Sequence, residues 1–194
     1  MIAVQHKLPS PDRIRIAARN LFATNGFHQT SMSELAVAAD MSVGLIYRSF
    51  KSKGDIIEAI VRADFAERLA ELEDLSERLG KGELTVEQTF QELFRQAISE
   101  GDEALSFDII AEGFRNECVS RAIGEMCGRF RGYLCDFARA ANPGLDGEEL
   151  EGAAELLLGC LFGVGHRSLS RSSLDAARMS DLSARMIIAA LKGI

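Results

Sequence analysis

Apolar side chains along this chain recur at three- and four-residue spacing between short polar breaks, and no strand-length stretch alternates in polarity. That pattern predicts an all-α protein of about nine helices. The first is expected to open at Ser10-Pro11-Asp12, with Ser10 as cap and Pro11 in the first helical position. It places Ile14, Ala17, Ala18, Leu21 and Phe22 on one face and closes at Asn25-Gly26. Ser31-Met32-Ser33-Glu34 reads as a capping box for a short second helix with Met32, Leu35, Ala36 and Ala39 turned inward. After a tight break at Asp40-Met41-Ser42, Ser42 can cap a third short helix from Val43 to about Ser49. A much longer fourth helix begins at Ser52-Lys53-Gly54-Asp55. Its stripe is Ile57, Ile60, Val61, Phe65, Leu69, Leu72, Leu75 and Leu79, and Gly80 and Gly82 break it.

Helices of ordinary length follow. One is marked by Val86, Phe90, Leu93, Phe94 and Ala97, and one spans about Glu103 to Asn116. Another, carrying Val119 through Phe137, stops at Asn142-Pro143-Gly144. Asp146-Gly147-Glu148-Glu149 reads as a further capping box, opening a helix to about Ser168, and the last runs from about Asp175 to Lys192. The Asp146–Ser168 helix is apolar almost all round (Leu150, Ala153, Ala154, Leu156, Leu157, Leu158, Leu161, Phe162, Val164) and is interrupted by Gly152, Gly159, Gly163 and Gly165. Such a helix must be covered on several sides. Its glycines, each costing about 1 kcal/mol of helix propensity against alanine, are accounted for by close helix packing.

Composition narrows the class. The 194 residues are 47% hydrophobic and 26% charged, as in an ordinary globular protein, and carry only three prolines. No apolar run is long enough to span a bilayer, and the start, MIAVQHKLPSPD, has no signal-peptide pattern, so a cytoplasmic protein without a membrane partner is expected. Cys118, Cys127, Cys135 and Cys160 lack C-x-x-C spacing and read as small buried hydrophobes. His6 and His28 are too isolated for metal binding, and His166 reads as a core or interface histidine. No G-x-S-x-G, P-loop, dinucleotide fingerprint or H-E-x-x-H occurs. No catalytic residue, cofactor or metal is expected.

The net charge of −7 at first argues against a nucleic-acid partner. Its distribution reverses that. Lys7, Arg13, Arg15, Arg19, Arg48, Lys51 and Lys53 outnumber Asp12, Glu34 and Asp40 within residues 1–54, so the acidity lies in the remainder. Screening limits surface fields to about 10 Å at ordinary salt, so a basic head on an acidic body can still meet phosphate.

Two short helices joined by a tight turn form a helix-turn-helix, whose second helix lies in the major groove. Here the detail is specific. Ala18-Arg-Asn-Leu-Phe-Ala-Thr-Asn-Gly-Phe, Thr30-Ser-Met-Ser-Glu-Leu-Ala and Met41-Ser-Val-Gly-Leu-Ile-Tyr-Arg-Ser-Phe-Lys-Ser-Lys53 stand in order and without gaps. Together they closely resemble the DNA-binding domain of the TetR family, over roughly the first third of the chain. Asp40 departs from the glycine many members carry in the turn, but aspartate also visits the left-handed region.

The resemblance implies a helix-turn-helix domain at 8-68, with the motif at 31-50, and a helical ligand-binding and dimerisation domain at 69-194. It implies a regulator, by the family's commoner habit a repressor, that binds palindromic double-stranded operator DNA as a homodimer through the last two helices. A small-molecule effector would release it, with the long fourth helix as lever. Candidate DNA-binding residues are Ser31, Ser33, Ser42, Val43, Gly44, Tyr47, Ser49 and Lys53. Gly44 permits close approach to the groove, and Tyr47 offers a hydroxyl to phosphate. Lys53 adds an ammonium at a helix start. By resemblance Val43 and Ser49 face the groove, where valine suits a thymine methyl.

Each residue has a plainer alternative. Ser31 and Ser42 serve as caps, and Tyr47 and Phe50 as core anchors. Arg48, Lys51 and Lys53 could form a solvated face, as could Arg13, Arg15 and Arg19. Phe65, Phe107, Phe114, Met126 and Phe130 read as either cavity lining or core. For the whole chain, a helical scaffold or an enzyme without a DNA role remains as the alternative.

Overall fold

The computed structural model describes residues 10–99 and 103–194; His6 and Lys7 lie outside the described residues. Nine α-helices and no strand occur among them: α1 (Ser10–Asn25), α2 (Met32–Ala38), α3 (Val43–Ser49), α4 (Lys53–Gly80), α5 (Val86–Ser99), α6 (Glu103–Gly113), α7 (Glu117–Ala141), α8 (Gly147–Gly165) and α9 (Ala176–Lys192). A single 3-10 turn, Arg167–Ser170, follows α8. Two of the helix stops are set by glycine. Gly26 and Gly82 both adopt positive φ just beyond α1 and α4, where an L-residue would be strained. α1 already includes Ser10.

Two compact units emerge. The first runs to Phe65 and also takes in α6 and α7 as far as Gly124. Its core joins Ile14, Ala18 and Phe22 of α1 to Leu35, Ile46, Ile56, Ile57 and Ile60, and then to Leu105, Val119 and Ala122 from much later in the chain. Burying each of the larger side chains contributes about 1.5–3 kcal/mol. The second unit comprises the stretch that begins at Ala66 and Glu125–Ile194. There α5 packs against α8 and α9, around Leu75, Phe90, Phe94, Leu134, Phe137, Leu157, Ala184 and Leu191. A side-chain bond from Gln91 to Asp181 at 3.2 Å ties α5 to α9.

Several expectations need correction. Asp146 stands at the N-cap of α8 but makes no side-chain cap bond, so the box read there does not form. α8 ends at Gly165, where His166 caps it and its ring nitrogen meets the Phe162 carbonyl at 2.8 Å. Cys118 is exposed and the other cysteines are only half-buried; all four are free thiols. Phe114, read as core or cavity lining, is 89% exposed.

Gly165 is a true close-packing glycine, because a Cβ there would come within 2.9 Å of the Ala97 carbonyl oxygen. Gly152, Gly159 and Gly163 are different: a Cβ on any of them would meet nothing within 4 Å. They line an outward face of α8 that also leaves Leu156 62% exposed. No described helix is long and apolar enough to cross a membrane.

Candidate nucleic-acid interface

The site is built from two capped helices and the turn between them. Ser31 caps α2 through a reciprocal box: its Oγ accepts the Glu34 amide at 3.2 Å, and the Glu34 carboxylate accepts the Ser31 amide at 2.7 Å. That backbone bond holds the Glu34 carboxyl below its ordinary value. α2 then ends in a Schellman turn. The Met41 amide donates to the Ala36 carbonyl at 2.9 Å and the Asp40 amide to Val37 at 3.1 Å. Asp40 takes the left-handed conformation this requires, at φ 52°. Arg13 reaches across from α1 and donates to the Ala39 and Asp40 carbonyls at 2.7 and 2.9 Å. The turn is thereby fixed from both sides. Ser42 caps α3, its Oγ accepting the Leu45 amide at 3.3 Å.

α3 is thus presented as a short rigid helix with one buried edge. Ile46 is in the core and Phe50, its C-cap, is buried just beyond. Gly44, Leu45, Tyr47, Arg48 and Ser49 are exposed, as are Ser31, Ser33 and Ser42. A Cβ on Gly44 would touch only the Ser42 hydroxyl, at 4.0 Å, so no internal packing demands a glycine there. Both capping hydroxyls accept a backbone amide through oxygen, so each keeps its own proton for an outside acceptor.

Two candidates sit differently from the rest. Val43 is half-buried and packs against the core of its unit, while Leu45 on the open face is 40% exposed. Leu45 was not among the candidates drawn from the sequence. Its position between buried Ile46 and half-buried Val43, off their shared edge, was the available signal. Val37 on α2, 83% exposed, is a second apolar residue the pattern did not flag.

Lys53 is the larger surprise. Its ammonium donates to the carbonyls of Phe27, His28 and Thr30 at 2.7, 3.2 and 2.9 Å and lies 4.7 Å from the centre of the Phe27 ring. All three of its protons are thereby used. Burial lowers its pKa from the ordinary 10.5, against the opposing fields of Glu112 and Glu34. Lys53 therefore clamps the turn between α1 and α2.

The basic residues divide likewise. Arg13 holds the turn, Arg15 pairs with Asp12 at 3.5 Å, and Arg19 pairs with Asp64. Arg48 and Lys51 are exposed beside the open face of α3. Among the described residues, no group of three or more His, Cys, Asp or Glu could hold a metal ion.

Residues 14–60 match the family model described as bacterial regulatory proteins, tetR family. The HTH-type transcriptional regulator UidR of Escherichia coli (strain K12) is 36% identical over 112 residues, 58% of this chain and 56% of the relative. The fatty acid metabolism regulator protein of Bacillus subtilis (strain 168) is 35% identical over 78 residues, 39% of each. The match therefore spans 56% of the first of these relatives and 39% of the second. Among solved structures, Salmonella enterica GusR is similar over 97% of both chains, with 28% identity and a TM-score of 0.66. The transcriptional regulator FadR from Bacillus subtilis, in complex with stearoyl-CoA, shares the fold, with a TM-score of 0.71 at 20% identity over 91% of this chain and 97% of that one.

Proposed function

We propose that this chain, whose residues 14–60 match the family model of tetR-type bacterial regulatory proteins, is a DNA-binding transcriptional regulator that lays α3 in the major groove of a palindromic operator. The observation that carries this is the open face of α3, rigidly capped and backed by a pinned turn, within the segment that matches the family. In this reading Tyr47, Ser31, Ser33 and Ser42 meet phosphate, Arg48 and Lys51 supply charge, and Gly44, Leu45 and Ser49 approach base edges. Val43 contributes mainly by packing. The Lys53 ammonium acts through the turn it clamps.

The operator-binding species is a homodimer. Its interface would use the outward face of α8, with Gly152, Leu156, Gly159 and Gly163, and α9, where Met186 is 71% exposed. Exposed small and apolar residues at helical spacing support a surface that another helix covers. A small-molecule effector binding the body would change operator affinity by linkage, with α4, unbroken from Lys53 to Gly80, as lever. The stearoyl-CoA complex of a structural neighbour supports an effector of some kind. The protein acts in the cytoplasm and as a repressor.

The test is binding of the purified protein to its own upstream DNA over a range of salt. The proposal requires a protected palindromic site and a steep fall of affinity with salt. Equal affinity for that DNA and for random duplex defeats it.

A further inference from the structure

The reading head is completed by a helix far along the chain, and that helix meets it through a polar stripe. Asp108 and Glu112 on α6 and Asn116 just beyond its end follow at four-residue spacing, the interval that stacks side chains on one face. Asp108 accepts the Phe27 amide at 2.8 Å. Glu112 favours the charged form of Lys53 and receives the Asn116 side-chain amide at 3.4 Å. Asn116 lies so close to Gly54 that a Cβ there would overlap its Nδ2, and its Oδ1 accepts the Cys118 and Val119 amides that open α7.

The targets of this stripe form one assembly. Phe27 lies beyond the last turn of α1, and its amide is taken by the Asp108 carboxylate rather than by a carbonyl of that helix. Lys53 holds the carbonyls of Phe27, His28 and Thr30 from the other side. The residue after Thr30 is Ser31, whose cap sets the start of α2 and, through the pinned turn, the placement of α3. A carboxylate on α6 therefore bears on the point from which the helix-turn-helix hangs.

We infer that Asp108 is a positioning residue for DNA reading: from α6 it anchors the Phe27 turn and so sets the approach of α3 to base edges. This rests on the reading of α3 as the DNA-contacting helix. Base recognition depends on donor and acceptor placement to within a few tenths of an ångström, whereas phosphate attraction by Arg48 and Lys51 tolerates looser geometry. Losing the anchor must therefore reduce operator affinity more than affinity for random DNA.

The experiment uses the full chain with Asp108→Ala and Asp108→Asn. Three quantities are measured: affinity for the operator protected by the wild type, affinity for random duplex, and exchange of the Phe27 amide. Asp108→Ala is expected to weaken operator binding about tenfold, the equivalent of one charge-assisted hydrogen bond, with random-duplex affinity unchanged. Exchange at Phe27 should accelerate by a similar factor. Asp108→Asn keeps an acceptor oxygen and should recover most of the operator affinity. If Asp108→Ala does not fold, Asp108→Glu, which moves the acceptor outward, must show the same selective loss. Wild-type operator affinity in Asp108→Ala, or equal losses on both DNAs, overturns the inference; so does Asp108→Asn as weak as Asp108→Ala. A wild type with no preferred site defeats the DNA reading itself, and the Phe27 exchange contrast then tells whether the anchor exists.

Discussion

Replacing Lys53 with methionine keeps the side chain's length and removes all of its donors. Three carbonyls, of Phe27, His28 and Thr30, lose their partner, as does the face of the Phe27 ring. A bond from a charged donor contributes about 1.5–3 kcal/mol where it is shielded. The contact to His28 is longer and exposed, so it adds little. A partly exposed cation–π contact adds about 0.5–1 kcal/mol. The cost of burying the ammonium, visible in its lowered pKa, subtracts from the sum. A net loss of about 2–3 kcal/mol follows. In a chain of this size each kcal/mol moves the melting temperature by about 2–4 °C, so Lys53→Met should melt roughly 4–12 °C lower. The assay is helical circular dichroism on heating, paired with operator binding against salt. A phosphate-contact role makes the opposite prediction: an unchanged melt and a salt slope shallower by about one. A melt within a degree of wild type together with that shallower slope would refute the clamp.

Four further outcomes are expected. Glu34 has a depressed folded pKa, so its contribution is complete above the ordinary 4.5 and is lost as pH falls through the folded value. Glu34→Gln should therefore flatten the dependence of melting temperature on pH in that acidic window; parallel curves would count against it. Asp40→Gly relieves a left-handed residue at the cost of an exposed 3.7 Å ion pair with Arg13 and should be neutral to about 1 kcal/mol stabilising. Asp40→Val should lose about 1 kcal/mol or more by chemical denaturation. Leu45→Ala should change base preference at constant salt slope, whereas Arg48→Ala should reduce the slope by about one on every sequence. Gly159→Leu adds up to about 1 kcal/mol of helix propensity in open space, so the fold should persist. Sedimentation should nonetheless show loss of the dimer, and an intact dimer would move the interface elsewhere.

Local chemistry made most of the fold legible. The box at Ser31 and Glu34, the cap at Ser42, the left-handed Asp40 and the stops at Gly26 and Gly82 each depend on residues a few positions apart. They occur where the sequence places them. Contacts across long separations were not legible. Nothing in the local pattern around Lys53 distinguishes a phosphate ligand from a clamp on carbonyls 23 to 26 residues earlier. Arg13, read as a solvated charge, holds the turn from a similar distance. Resemblance pointed Val43 at the groove and said nothing of Leu45, yet Val43 packs against the core and Leu45 is the exposed one. Asp146 shows the converse failure, a motif with suitable residue types whose bond does not form.

The membership of α6 and the start of α7 in the reading head has a consequence for biosynthesis. Leu105, Val119 and Ala122 fill the same core as Ile14, Phe22 and Ile46, so a nascent chain that has emerged only to Phe65 exposes the apolar surface they should cover. At about 5–20 residues per second, the ribosome needs several seconds to deliver the rest. Until then the helix-turn-helix cannot reach its final packing. The polypeptide must extend past Val119 and Ala122 before the unit that holds α3 can close its core, so a growing chain does not yet present the finished α3 surface.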